Sequence, residues 1–434
     1  MNQDIINEEN NRNPEEPERV LLVGVDTGED DNFESSMEEL GNLAQACGMQ
    51  SVGVMTQKLE TINKGLYIGT GKVQEVKEAA GVLEAEVIIF DNTLTPSQLR
   101  NLQEEIGRPV MDRTNLILDI FETRAQTREA KLQVETARLQ YLLPRLVGLH
   151  EALTRQGGAS GSKSSKGAGE KKLELDRRKI EHRISELRKE LEEMSSEREV
   201  QRKRRVNSRT PQVSLVGYTN AGKSTILNGM VDLYMQDESK KVLEKDMLFA
   251  TLETTVRRIE PGNNQDFLLA DTVGFIHKLP HGLVKAFRST LEEVKNADLL
   301  LHVVDYSDPH YKEQMKVTEE TLQELGAGDI PVIYVFNKAD RVTQEQPQVR
   351  GEDRIYMSAR QKDGLQRLVK MILDRIYSDY QEVTLLIPYT EGQLSSYFME
   401  NATVLSSEYA AEGNRMRVRC HGADARKYAA YLEG

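Results

Sequence analysis

Gly217, Tyr218, Thr219, Asn220, Ala221, Gly222, Lys223 and Ser224 form an unbroken G-x-x-x-x-G-K-S run, the spacing of a loop that holds phosphates. An apolar run, Val213 to Val216, precedes it, and a helical pattern from Thr225 to Met230 follows. A glycine-rich turn between strand and helix leaves backbone N–H groups free to cradle anionic oxygens, aided by the positive end of the helix. In such a loop Lys223 reaches the β- and γ-phosphates and the Ser224 hydroxyl binds Mg²⁺. The run therefore predicts a bound nucleoside triphosphate.

Three further elements choose the base. Asp271, Thr272, Val273 and Gly274 follow the apolar stretch Phe267 to Ala270, so the Asp271 carboxylate can hold the Mg²⁺ shell while the Gly274 N–H faces the γ-phosphate. Asn337, Lys338 and Asp340 follow a second apolar stretch, Val332 to Phe336, and Asp340 can accept both N1–H and N2–H₂ of guanine. Adenine has no such donor pair, and a polar site left unpaired by the wrong base costs about 1–3 kcal/mol per group. Ser358, Ala359 and Arg360, after Arg354 to Met357, complete the pocket, where a backbone N–H can reach guanine O6. The reading is GTP, with GDP as the product.

Phe249 to Thr255 is the expected first switch, with Thr255 sensing the γ-phosphate through Mg²⁺ and Thr254 as the neighbouring candidate. Lys223, Thr255 and Gly274 are the candidate catalytic residues, and Ser224, Thr255 and Asp271 the candidate metal ligands. Phe275 stands where many switch GTPases carry the Gln that orients the attacking water, and Phe cannot hydrogen-bond water. Slow intrinsic turnover is expected, completed by a partner or by another switch residue. Asn220 matches GTPases that use K⁺ beside the phosphates, although Asn is also a common turn residue.

A chain of 434 residues should carry these elements on roughly three domains. No apolar run has the length of a membrane span and the N-terminus is polar and acidic, so neither a signal peptide nor a transmembrane helix is expected, and the cytoplasm is the expected compartment. Cys47 and Cys420 lack CxxC partners, which argues against a zinc site or a disulfide framework. A net charge of −13 argues against indiscriminate coating of nucleic acid, while leaving room for local basic surfaces.

Residues 1–18 read as a disordered acidic tail. Over 19–122, β-like runs alternate with helical patterns, predicting a small α/β domain with a mainly parallel sheet. Within it, Gly69, Thr70, Gly71 and Lys72 resemble a short phosphate loop; a glycine turn leading into a helix is the preferred reading. Over 123–205, Leu132, Leu139, Leu146 and Leu153 recur every seven residues, joined by Leu142 and Leu149, and Ile180, Ile184, Leu187, Leu191 and Met194 repeat the pattern. These predict a long antiparallel helical hairpin with a flexible basic loop at 156–169, and arms of roughly 45 Å at about 1.5 Å per residue. Pro144 should bend or interrupt the first arm. Lys163 and Lys166 in the loop suit RNA phosphates, and a solvated linker explains the same composition equally well. The basic run Gln201 to Arg205 stands just before the nucleotide domain. Residues 206–378 form the expected P-loop GTPase domain with a doubly wound sheet, and 379–434 a small α+β module more suited to recognising a surface than to chemistry.

Together these segments resemble the HflX-type family of translational GTPases. The resemblance is carried by Val110 to Phe121 (VMDRTNLILDIF), Ala125 to Glu135 (AQTREAKLQVE), Leu173 to Arg178 (LELDRR) and the nucleotide motifs with Asp271 to Phe275 (DTVGF). It implies GTP hydrolysis coupled to the large ribosomal subunit, both rRNA and ribosomal proteins, with the hairpin loop reaching toward the peptidyl-transferase region, and separation of stalled ribosomes under stress. No DNA specificity is expected. The sequence departs from the family pattern in two places. Gly157 to Glu170 (GGASGSKSSKGAGE) replaces a GGPGE-like stretch, and Glu253 and Thr254 replace the Asp and Pro of the usual ATLDPT. Two rival readings stay open: a GTP switch acting on a protein partner, and an ATP-driven RNA remodeller working through the N-terminal domain.

Overall fold

The computed structural model describes residues 17–28, 32–156, 174–194, 210–235, 249, 255–278 and 294–433, with side chains of 147–156 left aside. The acidic tail up to residue 16, the hairpin loop from 157, the run 201–205 and switch residues 250–254 lie outside the described residues. The chain divides into two compact units: Met1–Glu197 with Met247–Phe249 and His277–Arg288, and the remainder.

In the first unit, β1 (Glu18–Asp26), β2 (Met49–Lys58), β3 (Val87–Phe90) and β4 (Val110–Asp112) form a sheet of order β2-β1-β3-β4, parallel throughout. β3, Val-Ile-Ile-Phe, is buried at every position, as a central strand covered on both faces must be. The connecting helices are α1 (Phe33–Ala46), α2 (Thr70–Val82), α3 (Pro96–Ile106) and α4 (Arg113–Arg124). α3 is fixed at both ends by its sequence: Thr95 and Gln98 form a capping box, Pro96 opens the first turn and Gly107 closes it at φ 74.

α5 (Arg128–Gln156) runs on through Pro144, and residues 174–194 form a second helix, α6. The arms are antiparallel, because Arg128 pairs with Glu190 at one level and Arg183 with Glu135 at another, each at 2.8 Å. The seam expected on periodicity holds for Leu132, Ile184 and Leu187, all buried, whereas Leu142 is 37% exposed. The base of α5 packs on α3 and α4 as well as on its partner arm, so a uniform heptad seam does not describe it.

The second unit holds β5 (Gln212–Gly217), β6 (Thr255–Ile259), β7 (Phe267–Asp271), β8 (Leu299–Asp305), β9 (Val332–Asn337), β10 (Gln348–Arg350) and β11 (Arg354–Tyr356) in the order β10-β11-β9-β8-β5-β7-β6. The edge pairs β6·β7 and β10·β11 are antiparallel and the others parallel. Helices α7 (Lys223–Tyr234), α8 (Tyr311–Glu324) and α9 (Lys362–Ile376) flank it. α9 buries Leu365, Leu368, Val369 and Ile372, the i, i+3, i+4, i+7 stripe of a helix laid on a sheet.

The same unit ends in an antiparallel sheet, β12 (Tyr380–Ile387), β13 (Thr403–Ala410) and β14 (Gly413–His421), with α10 (Gly392–Asn401) and α11 (Gly422–Lys427). The chain closes on α11 followed by a 3-10 turn, Ala429–Tyr431, rather than on one continuous helix. The chain leaves the helix there to return to β12, where the Glu433 N–H donates to Thr384 O at 2.9 Å. The turn joining β6 to β7 is bonded to this module: Asn264 Nδ2 donates to the carbonyls of Met399 and Ala402 at 2.8 and 2.9 Å.

Candidate nucleotide site

β5 ends at Gly217, and the phosphate loop begins with two backbone conformations that exclude side chains. Gly217 has φ +144 and a Cβ there would stand 2.2 Å from Val303 O; Gly222 has φ +99 and a Cβ would stand 2.2 Å from Asn337 Nδ2. Asn220, exposed at φ 59, is a left-handed turn residue, a conformation Asn tolerates better than most. Ser224 and Thr225 lie in the first turn of α7, both half-buried.

Lys223 is buried, and its Nζ donates to the carbonyls of Gly217 and Tyr218 at 3.0 and 2.7 Å. Burial pulls its pKa down to about 8, against the pull of the Asp271 carboxylate beside it. The Ser224 Oγ donates to Asp271 Oδ2 at 2.7 Å, so the two hard oxygen groups expected around Mg²⁺ are already side by side. Asp271 and Thr272 are fully buried, Thr272 Oγ1 donates to Leu215 O at 2.6 Å, and Val273 is buried with them. Thr255 opens β6 directly across from Asp271 in the antiparallel register, bringing the third candidate ligand to the same place.

Gly274 lies against the loop: a Cβ there would meet Thr219 Cα at 2.8 Å and Lys223 Nζ at 3.0 Å. Phe275 does more than fail to be Gln. Its side chain is buried, its N–H donates to Gly217 O at 3.1 Å and its carbonyl accepts from the Thr219 N–H at 2.9 Å. The segment after Asp271 is thus hydrogen-bonded to the phosphate loop by its main chain.

On the base side, Asn337 acts as a clamp. Its Nδ2 donates to Ala221 O and its Oδ1 accepts from the Ala359 N–H, both at 2.9 Å, tying the phosphate loop to the buried Ser358-Ala359 turn. Lys338 sits at φ 58 with its Nζ on Asp305 Oδ2 at 2.7 Å. Asp340 and Arg360 are exposed, Asp340 within the 3-10 turn Ala339–Arg341. Asp305 escaped the sequence reading because it belongs to no motif; its position at the end of the apolar run Leu299 to Val304 is the signal that could have found it.

Elsewhere, the Gly69 N–H donates to Gln57 Oε1 at 2.9 Å, Lys72 pairs with Glu75, and Gly69 stands as the N-cap of α2 with extended backbone. That is the glycine-turn arrangement. Cys47 and Cys420 are free thiols; burial pushes both up, Cys47 to about 12. Among the described residues no cluster of His, Cys, Asp and Glu could hold a metal, and no helix is long and apolar enough to cross a membrane.

A mostly parallel sheet with a phosphate loop after β5, a D-x-x-G segment after β7 and an N-K-x-D turn after β9 defines a P-loop GTPase. Family models match along the chain: "GTP-binding GTPase N-terminal" over 34–122, "GTP-binding GTPase Middle Region" over 124–205 and "50S ribosome-binding GTPase" over 212–338. The GTPase HflX of Caldanaerobacter subterraneus subsp. tengcongensis is 44% identical over 398 residues, 91% of this chain and 89% of that one. The GTPase HflX of Escherichia coli is 39% identical over 388 residues, 88% of each. A GTP-binding protein from Sulfolobus solfataricus, solved with GDP, covers 83% of this chain and 99% of its own at 25% identity and TM-score 0.42. The chain belongs to the HflX family of GTPases, and it hydrolyses GTP.

The depressed Lys223 pKa makes nucleotide binding pH-dependent. Phosphate favours the ammonium form, so a site in which burial lowers the Lys223 pKa takes up more protons on binding GDP near pH 8 than at pH 6.5. Affinity should fall as pH rises above 8. Calorimetry in buffers of different ionisation enthalpy measures the uptake directly, and no uptake at pH 8 would contradict the assignment. For stability the sign is opposite: the fold penalises charged Lys223, so this group adds stability as pH rises from about 8 toward its ordinary value.

Proposed function

We propose that this chain is a Mg²⁺-dependent GTPase whose nucleotide state governs engagement of the large ribosomal subunit, and that it splits or rescues stalled ribosomes under stress. Ribosome engagement is supported by the family model matched over 212–338, described as a 50S ribosome-binding GTPase. The observation that carries the coupling is Phe275, which is buried and bound by its main chain to the phosphate loop where a water-orienting side chain would be needed. Intrinsic hydrolysis is slow, and the missing water-orienting group comes from the ribosome.

In this reading the backbone N–H groups from Tyr218 to Thr225 cradle the α- and β-phosphates, and Lys223 and the Gly274 N–H hold the γ-phosphate. Ser224, Thr255 and Asp271 would hold Mg²⁺, which would supply positive charge beside the phosphates. Asp340 reads the guanine edge, Lys338 covers the ring, and Asn337 with Ser358, Ala359 and Arg360 fixes the O6 side. K⁺ beside Asn220 is a finer proposal, checked by comparing rates in K⁺ and Na⁺. The hairpin arms, locked by Arg128–Glu190 and Arg183–Glu135, form a stalk whose basic loop contacts rRNA. The setting is the cytoplasm.

Co-sedimentation with purified large subunits tests this. Protein carrying a non-hydrolysable GTP analogue should bind at least about ten-fold more tightly than protein carrying GDP, the usual range for an allosteric coupling. Deleting residues 157–169 should remove that binding and leave nucleotide affinity unchanged. Equal binding in both nucleotide states would sink the proposal.

A further inference from the structure

The turn that carries the base-reading residues is held from a strand that belongs to no nucleotide motif. β8 ends at Asp305, which lies opposite Asn337 in the parallel register of β8 and β9. Just beyond, the Tyr306 N–H donates to Asn337 O at 2.9 Å, so the two chains are still joined at the residue before Lys338. The Asp305 carboxylate is set by its own loop: Oδ1 accepts from the Ser307 N–H at 3.0 Å and from the Ser307 Oγ at 2.6 Å. Its other oxygen, Oδ2, receives the Lys338 Nζ at 2.7 Å.

Both side chains are mostly shielded, Lys338 19% and Asp305 17% exposed, so salt screens the pair less than it would one in open water. Lys338 also takes a left-handed backbone, φ 58 and ψ 25, which a residue with a side chain adopts at a cost. That conformation turns the chain out of β9 and into the 3-10 turn Ala339–Arg341, where Asp340 stands. A lysine needs such an anchor, because its four-carbon stem has many rotamers and a site that must order it on binding loses affinity. With its Cα fixed by the turn and its Nζ fixed by Asp305, the stem between them is set in advance.

We propose that Asp305 is a positioning residue for guanine-nucleotide binding, holding the Lys338 ammonium so that the stem lies ready against the face of the base; this rests on Lys338 as the cover of the ring. A hydrocarbon stem on a ring face favours any purine and reads none of its edge. Asp305 therefore sets how long the nucleotide stays, while Asp340 decides which base is accepted.

The test uses the full chain with Asp305→Asn, Lys338→Ala and the two together. Asn matches Asp in shape and keeps an oxygen for Ser307, so the loop should stay folded; near-native thermal unfolding checks that. For Asp305→Asn, GDP affinity should fall roughly three- to ten-fold, the scale of ordering one long side chain on binding, and the loss should appear as faster GDP dissociation. The ratio of GDP to inosine diphosphate affinity should hold, and so should the single-turnover hydrolysis rate at saturating GTP. In the double variant Asp305→Asn should add nothing to the loss caused by Lys338→Ala, because its effect passes through that side chain. Losses that multiply, or a saturated rate that falls together with affinity, mark a merely structural role and overturn the proposal. So does an unchanged GDP affinity in Asp305→Asn where Lys338→Ala weakens it. If Lys338→Ala itself leaves GDP affinity unchanged, the covering role of Lys338 is what fails, and the proposal falls with it.

Discussion

Asp340→Asn should weaken GTP binding by about 100-fold or more and admit xanthosine triphosphate. The expectation follows from hydrogen-bond polarity. A carboxylate accepts from both guanine N1–H and N2–H₂, and hydrogen bonds to a charged group contribute about 1.5–3 kcal/mol each, so losing one and mispairing the other costs roughly 3 kcal/mol. Each 1.4 kcal/mol is about ten-fold in affinity. Asn supplies one acceptor and one donor, the complement of xanthine N1–H and O2. The change should not disturb the turn, because that turn is held by neighbours: Asn337 by its bonds to Ala221 and Ala359, Ala339 by its N–H on Met357 O, and Lys338 by Asp305. Asp340 itself is exposed. Titration of GDP and xanthosine diphosphate into the variant measures the switch, and unchanged guanine affinity would refute the base-reading role.

Gly274→Ala should lower the hydrolysis rate by about 100-fold or more, the effect of removing one preorganised donor from a developing charge. The added methyl would stand 2.8 Å from Thr219 Cα, 2.9 Å from Thr219 Cγ2 and 3.0 Å from Lys223 Nζ. Thr219 Cα is backbone, anchored by the Thr219 N–H on Phe275 O, and cannot yield as a flexible side chain would. The segment must instead lift off the loop, carrying the Gly274 N–H away from the γ-phosphate. GDP affinity should stay within a few-fold of the unmodified protein, since GDP has no γ-phosphate for Gly274 to meet. Rapid-quench hydrolysis paired with GDP titration separates these outcomes, and a normal rate would contradict the contact.

How much of this was legible in the sequence depends on how local each feature is. The phosphate loop was readable because its geometry is written in consecutive residues: at both of its glycines, Gly217 and Gly222, a Cβ would strike a neighbour. The base turn was readable for the same reason, with Asn337 clamping two distant loops by one short side chain. Asp305 was not readable, since it matters through Lys338 on the next strand's end, which only the folded sheet brings near. Periodicity also misled where one helix serves two neighbours. Leu142 sits on the predicted seam yet is exposed, while Tyr141 and Arg145 on the same stretch of α5 bind Asp112 at the end of β4 at 2.8 and 2.9 Å. The motif VMDRTN carries the resemblance, and its Asp112 has a physical reason: it caps α4 through the Asn115 N–H and receives the base of the hairpin.

Phe275 shows the opposite case. Its type alone predicted a missing water-orienting group, and its main chain supplies something the type could not reveal, a pair of hydrogen bonds that join the switch to the phosphate loop. Under the proposed function, a GTPase built this way is slow on its own and takes its water-orienting group from an external surface.

The most direct test of that conclusion is the GTP hydrolysis rate of the purified protein with and without purified large ribosomal subunits, at fixed Mg²⁺ and K⁺. A ribosome-coupled GTPase lacking its own water-orienting group should be accelerated by about ten-fold or more, within the range that partner-supplied groups provide in other GTPases. An unchanged rate, with GTP still bound, would contradict the coupling and point instead to a switch that acts on a protein partner.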